Sequence, residues 1–222
     1  MITIKEQTIK NPISLIGEMA GVCWGANTSD SEKNYKRGLD CITSDHGRTF
    51  EFPDVYMIIE GYSARVMREY MRHVGGGLTC LQESTRYVNC KNFKYVTPKS
   101  ISSNDMARDS YNAFMNQCML TYESLINMGI PKEDVANILP LGMMTKLVDK
   151  KNLRNLADMS KKRLCNRAYH EYRQLMHDIM GALSNYSEEW AEVVKLLFKP
   201  QCDVLGYCPE KQCCGRKSKK NV

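Results

Sequence analysis

Arg68-Glu-Tyr-Met-Arg72-His73-Val-Gly-Gly-Gly-Leu-Thr-Cys-Leu-Gln82-Glu83-Ser84-Thr-Arg86-Tyr87 is the stretch from which the rest of the chain is read. Behind Ser63, a hydroxyl residue suited to an N-cap, Val66, Met67, Tyr70 and Met71 recur at three- and four-residue spacing. That spacing predicts a helix with Arg72 and His73 in its last turn. Gly75, Gly76 and Gly77 then end the helix and let the backbone approach a ligand with no side chain in the way. Ser84 and Arg86 add a hydroxyl and a planar guanidinium fork, donors that suit a phosphate monoester. Two Arg, one His and one Ser around a glycine turn describe an anion site, although an ordinary helix end with solvated charges has the same composition.

Towards the N-terminus, Val55-Tyr-Met-Ile-Ile-Glu60 reads as a buried strand that feeds this helix through Gly61. Residues 1–10 suggest a first strand by partial alternation of β-branched residues. Asn11-Pro12 has the form of a helix start, followed by an apolar stripe of Ile13, Leu15, Ile16, Met19 and Ala20. Asn27 to Lys36 reads as a loop entering a short helix.

Towards the C-terminus, Val88 to Val96 is aromatic-rich and extended. From Asn104 a long helical pattern begins, with Met106, Tyr111, Phe114, Met115, Cys118, Met119, Tyr122 and Leu125 as its expected core stripe. Gly129 closes it, Pro131 opens the next helix, and Ala136 to Lys146 closes that one and starts a strand. Arg163 to Arg173 reads as one helix with Ala168, Tyr172 and Leu175 towards the core, and 187–198 as a last amphipathic helix bearing Trp190, Val193, Val194, Leu197 and Phe198.

The 222 residues are 43% hydrophobic, enough for one sizeable globular domain with an appendage. No apolar run approaches a membrane span and no signal peptide opens the chain, so a soluble, cytoplasmic protein with reduced thiols is expected from its ten cysteines. The net charge of +6 suits small polyanionic substrates and resides largely in the tail. A separate Cys-rich basic tail occupies 201–222, where Cys202, Cys208, Cys213 and Cys214 offer either a structural zinc site or a thiol-rich flap. Nucleic-acid binding by the Lys-rich end is a weaker alternative.

The order of residues in the opening stretch resembles the signature of the flavin-dependent thymidylate synthases, Arg-His-Arg, seven residues, then Ser-x-Arg-Tyr. Arg72-His73 stands for the first two positions and Ser84-Thr-Arg86-Tyr87 for the end. Val74 takes the place of the third family residue, Arg, and nine residues rather than seven separate it from Ser84. A second segment, His46-Gly-Arg48-Thr-Phe-Glu51, is similar to the family's His-x-Ser/Thr-x-x-Glu, with Arg48 at the hydroxyl position. A third, Arg163-Leu-Cys-Asn-Arg167-Ala168-Tyr169-His170-Glu171-Tyr172-Arg173, is similar to the family's Arg followed by Ala-Gln-x-Glu-Ile-Arg, and Leu139-Pro140-Leu141 leading to Thr145-Lys146 is similar to a segment ending in Thr-Arg.

The resemblance implies an α/β (α+β) fold, a mixed or antiparallel sheet flanked by helices, over a catalytic domain of residues 1–200. It implies a homotetramer with shared active sites and reductive methylation of dUMP to dTMP, with FAD as cofactor and 5,10-methylenetetrahydrofolate and NADPH as co-substrates. By the same resemblance Glu69, Arg72, Ser84, Arg86, Lys146 and Arg173 bind dUMP, and Arg173 is the catalytic cation that polarises uracil. His46, Arg48, His73, Gln82, Arg163 and Arg167 are the FAD residues, and no metal is required. Hydroxymethylation of the same nucleotide and a zinc-dependent nucleic-acid-binding protein are the alternatives carried forward.

Overall fold

The computed structural model describes residues 1–75, 77 and 79–220. In chain order they form β1 (Ile2–Ile4), α1 (Pro12–Cys23), α2 (Ser31–Thr43), β2 (Asp54–Ser63), α3 (Ala64–Tyr70), β3 (Leu81–Gln82), α4 (Lys99–Ser102), α5 (Asp105–Asn127), α6 (Lys132–Val135), β4 (Met144–Asn152), α7 (Leu153–Arg163), α8 (His170–Tyr186), α9 (Glu188–Leu197) and α10 (Gln201–Leu205). Short 3-10 helices occupy Gly47–Glu51 and Ala136–Ile138. Four strands make one sheet in the order β1-β2-β4-β3. β3 and β4 are antiparallel, Leu81 opposite Val148. The bonds Glu60 N to Met1 O and Lys5 N to Tyr56 O make β1 and β2 antiparallel as well. This is the expected α+β class. Among the described residues no helix is long and apolar enough to cross a membrane.

The chain divides into two compact units, one of Met1, Ile59–Arg72 and Cys80–Val148, the other of Ile2–Ile58, His73–Thr79 and Asp149–Val222. In the first unit Ser63 caps α3, its hydroxyl accepting from Val66 N at 3.2 Å, and Val66, Met67 and Tyr70 are buried. The helix is shorter than its periodicity predicts. It ends at Tyr70, so Arg72 and His73 follow it rather than occupy its last turn. The His73 carbonyl accepts from Lys151 Nζ at 3.2 Å, outside any helical bond.

Asn104 caps α5 and Gly129, at φ +83°, terminates it, as the residue types predict. Only Met115, Cys118 and Tyr122 of its expected core stripe are buried. Tyr122 packs with Cys90, Val135 and Met143, whereas Met106 is 83% and Phe114 59% exposed. A helix packed on one side within its own unit buries a single stripe, and the sequence offers α5 more apolar surface than that stripe uses. Val88 to Val96 is mostly irregular: Asn89 Oδ1 accepts from Lys91 N and turns the chain, leaving one bridge between Tyr95 and Met143.

In the second unit Asn11-Pro12 opens α1 as expected. α2 begins at Ser31, inside the stretch read as loop, because Asp30 accepts from Lys33 N at 3.1 Å and caps it there. α1 and α2 approach closely at Gly17 and Gly38, where a Cβ would fall within 2 Å of the facing backbone, 1.8 Å from Asn34 O and 1.9 Å from Ile13 O. α8 buries Tyr172, Leu175, Met176, Ile179 and Leu183, one face at helical spacing. α9 adds Trp190, whose indole N–H donates to Ile9 O at 2.7 Å.

Arg163 to Arg173 is not one helix. α7 ends at Arg163 and α8 starts at His170, with a turn between them closed by Ala168 N donating to Cys165 O. The buried Leu164, which caps α7, anchors that break. Nor is α9 the last helix, since α10 follows Pro200 and buries Cys202.

β4 has a row of inward residues, Thr145, Leu147, Asp149 and Lys151, in strict alternation with more exposed neighbours. Its last two members are charged.

Candidate functional site

The first unit carries most of the nucleotide candidates. α3 sets Arg65, Arg68 and Glu69 at spacings of three and four, and with Arg72 just beyond the helix end and Leu141 they line an open recess of about 290 Å³. The structure therefore brings Glu69 and Arg72 into one recess. After β3, Ser84 Oγ accepts from Arg86 N at 3.3 Å, so these two are joined locally. The Arg86 guanidinium itself pairs with Glu133, Nε to Oε2 3.1 Å.

Lys146 borders a second cavity of about 500 Å³ whose lining includes Glu60, Glu83, Thr145, Phe93 and Met143. It pairs with the Glu60 carboxylate, whose hydrogen bond holds the ammonium pKa above the ordinary lysine value. Gln82 donates to Thr145 Oγ1 at 3.2 Å across the β3–β4 pair. Gln82 was assigned to the flavin on resemblance; within this unit its amide is bound to that strand neighbour.

The second unit holds the remaining candidates. His73 and Arg163, ninety positions apart, are in contact: Arg163 Nε donates to His73 Nε2 at 3.1 Å. The same guanidinium lies 4.3 Å from the ring centre of Tyr172, and His73 meets Tyr172 edge to face at 6.0 Å. Arg163 is thus held by an imidazole and an aromatic face, with its planar charge half-buried. Arg173, in the first turn of α8, donates from one guanidinium nitrogen to Asn166 O at 2.7 Å. Arg167 donates to Gln212 O at 3.0 Å, tying the loop to the tail. His46 is exposed beside Trp24, ring centres 6.2 Å apart, and Arg48 lies 4.0 Å from Glu51 on the same 3-10 helix.

Around His73 and Gly75 the structure adds residues that the sequence reading passed over, Asp149, Lys151, Asn152, Arg154, Asn155 and Asp158. Glu51, Gly75, Asn152, Arg154, Asn155 and Asp158 line a cavity of about 190 Å³. Asn155 Nδ2 donates to Gly75 O, and a Cβ on Gly75 would fall 2.9 Å from that same nitrogen. Lys151 and Asp149 reach His73 and Thr79 from β4. A signal for both was present, since alternation from Thr145 through Leu147 carries 149 and 151 to the inward face. Gly76 belongs to the glycine run read from the sequence and lies outside the described residues.

Among the described residues no group of three or more His, Cys, Asp or Glu is arranged to hold a metal ion. Cys202 and Cys208 are buried, while Cys213 and Cys214 are exposed. Cys213 Sγ accepts from Gly215 N at 3.3 Å and reaches Lys217 O at 2.9 Å. The bond from Gly215 is the main cause of a thiol pKa below the ordinary value. These bonds hold Cys213 in a small hydrogen-bonded turn that reaches Lys217.

A family model described as thymidylate synthase complementing protein matches residues 4–186. Among curated relatives, the flavin-dependent thymidylate synthase of Nitratidesulfovibrio vulgaris is 30% identical over 188 residues, 79% of this chain and 73% of the relative. That of Pyrococcus furiosus is 28% identical over 231 residues, 95% of this chain and 92% of the relative. Among solved structures, the flavin dependent thymidylate synthase ThyX from Helicobacter pylori, complexed with FAD and dUMP, superposes with a TM-score of 0.65 at 18% identity. That likeness, over 86% of this chain and 98% of the other, establishes the fold.

Proposed function

This chain belongs to the thymidylate synthase complementing protein family, and from that premise we infer that it is a flavin-dependent thymidylate synthase, converting dUMP to dTMP with FAD as its cofactor. The observation that carries the reading within the molecule is the contact of His73 with Arg163, two flavin candidates chosen from separate motifs. The second unit suits FAD chemically. A dinucleotide needs cations for its diphosphate and flat partners for its rings, and Arg163, His73, Tyr172 and the Arg154 beside Gly75 are of those types. When bound, FAD supplies the hydride transfer of the reaction.

The chain's own residues do the holding. His73 and Arg163 grip the cofactor, with His46, Arg48, Gln82 and Arg167 contributing. Glu69, Arg72, Ser84, Arg86 and Lys146 bind dUMP, where Arg86 exchanges its solvent-exposed Glu133 partner for phosphate. An exposed pair of this kind is worth about 0–1 kcal/mol, so the exchange costs little. Arg173 acts on the uracil ring. 5,10-Methylenetetrahydrofolate supplies the carbon and NADPH the reducing equivalents, and the enzyme works in the cytoplasm. Residues 1–200 form the catalytic part and 201–222 an appendage, in keeping with a family match that stops at 186. Copies of the chain assemble as a homotetramer; the exposed Met106, Phe114 and Leu120 on α5 supply apolar surface for such an assembly.

The test is a spectrum followed by a turnover assay. Purified with its cofactor the protein should be yellow, absorbing near ~450 nm as an oxidised flavin does. With dUMP, methylenetetrahydrofolate and NADPH it should release a nucleotide of the mass of dTMP. A colourless protein that takes up no FAD refutes the reading, and a product of hydroxymethyl mass replaces methylation by its relative.

A further inference from the structure

His73 and Thr79 are both tied to one buried ion pair. Lys151 Nζ donates to the His73 carbonyl at 3.2 Å and lies 3.2 Å from Asp149 Oδ2. The Thr79 hydroxyl sits 3.2 Å from Asp149 Oδ1 and also meets the carbonyl of Lys150. Between them in the chain, Asn155 holds the Gly75 carbonyl. The Lys151 and Asp149 side chains are 1% and 0% exposed, on the inward row of β4 that Thr145 and Leu147 begin.

Apolar residues would fill those two positions without stripping water from two charges, and buried pairs often gain nothing in stability over a well-packed apolar replacement. What an apolar pair would not do is reach out. The ammonium grips His73 and the carboxylate meets Thr79. The described residues Val74, Gly75, Gly77 and Thr79 are all exposed, so side-chain packing does not hold them. Gly77, at φ +96°, has no neighbour within 4 Å of a Cβ position. Without the pair the backbone at His73 would lose its buried tie, and its ring would be less firmly held against Arg163.

We propose that Asp149 and Lys151 are a positioning pair that holds the backbone at His73 and the side chain of Thr79 and, through His73, sets the affinity of the His73–Arg163 contact for FAD. Neither residue touches the cofactor in this role. The proposal rests on the reading of the chain as a flavoenzyme, and the experiment separates the two. FAD is titrated into wild-type apoprotein and into Asp149→Leu/Lys151→Met, following quenching of flavin fluorescence, alongside thermal unfolding and hydrogen exchange.

Wild-type protein that fails to bind FAD overturns the flavoenzyme reading and the proposal with it. With binding established, the double variant should unfold cooperatively within a few degrees of wild type. It should bind FAD at least about tenfold more weakly, as the loss of hydrogen bonds to charged groups implies, and exchange amide hydrogens faster in 73–79. Wild-type affinity and exchange in a folded double variant overturn the positioning role. Should the double variant not fold, Thr79→Val decides, since it removes one tie and leaves the pair intact: weakened FAD binding that Thr79→Ser restores supports the proposal, and unchanged binding overturns it.

Discussion

Arg163 Nε donates to His73 Nε2 across 3.1 Å, and this fixes the state of the imidazole. Arginine keeps its proton, so Nε2 presents a lone pair and the ring proton belongs on Nδ1.

Arg163→Lys should therefore weaken FAD binding by about 2 kcal/mol, roughly thirtyfold, since an ammonium loses both the fixed N–H to His73 and the planar face on Tyr172. Fluorescence titration measures this directly. An affinity within threefold of wild type would remove Arg163 from the flavin site.

Arg173→Ala should keep FAD bound and abolish most turnover. A cation within ~4–6 Å of an ionising group lowers its pKa by ~1–3 units, and the uracil ring would lose that assistance. The separation between an unchanged flavin titration and a collapsed kcat is the measurement; full activity contradicts the assigned role.

The carboxylate of Glu189, in the first turn of α9, caps α1 from outside. It accepts from Ile13 N at 2.7 Å, Ser14 N at 3.0 Å and Ser14 Oγ at 2.6 Å. Glu189→Ala leaves those donors at a helix N-terminus without their acceptor and should cost about 2 kcal/mol, lowering Tm by roughly 4–8 °C. Glu189→Gln, which keeps one carbonyl oxygen, should lose about half as much.

Gly38→Ala places a Cβ 1.9 Å from Ile13 O, a backbone atom that no rotamer change can move. The α1–α2 pair must separate, at a cost of about 2–3 kcal/mol by the usual penalty of overpacking. Gly181→Ala in α8, where a Cβ meets nothing within 4 Å, should instead stabilise by about 0.5–1 kcal/mol. Differential scanning fluorimetry on the two proteins decides both signs at once.

Limiting iodoacetamide at neutral pH should modify Cys213 well before Cys41 or Cys90. The hydrogen bond from Gly215 lowers the Cys213 pKa, so more of it is thiolate, whereas burial raises the pKa of the other two. As pH rises, Cys213 labelling should level off earlier than that of an ordinary thiol. Peptide mass mapping reads the order, and simultaneous labelling of the three would contradict it.

Much of the helix framework is legible in single residues. Pro12 after Asn11, Ser63, Asn104 and Ser187 mark helix starts, and Gly129 a helix end, because capping acts over three or four positions and needs no distant partner. The same locality misplaced other boundaries. Nothing in the periodicity from Arg163 to Arg173 announces the buried Leu164 that breaks it, and the apolar spacing of α5 does not say that Met106 and Phe114 go uncovered in this chain.

By itself, then, the order of residues determined the helix starts, the β2 strand and the family motifs, all of which rest on interactions within one turn or one strand. Only the tertiary structure decided that Arg163 meets His73, that Lys151 and Asp149 are buried charges, and that they meet His73 and Thr79 some seventy positions away. Whether a charged side chain is solvated or buried depends on which distant backbone comes to lie against it, and that is set when the strands pair and the helices pack.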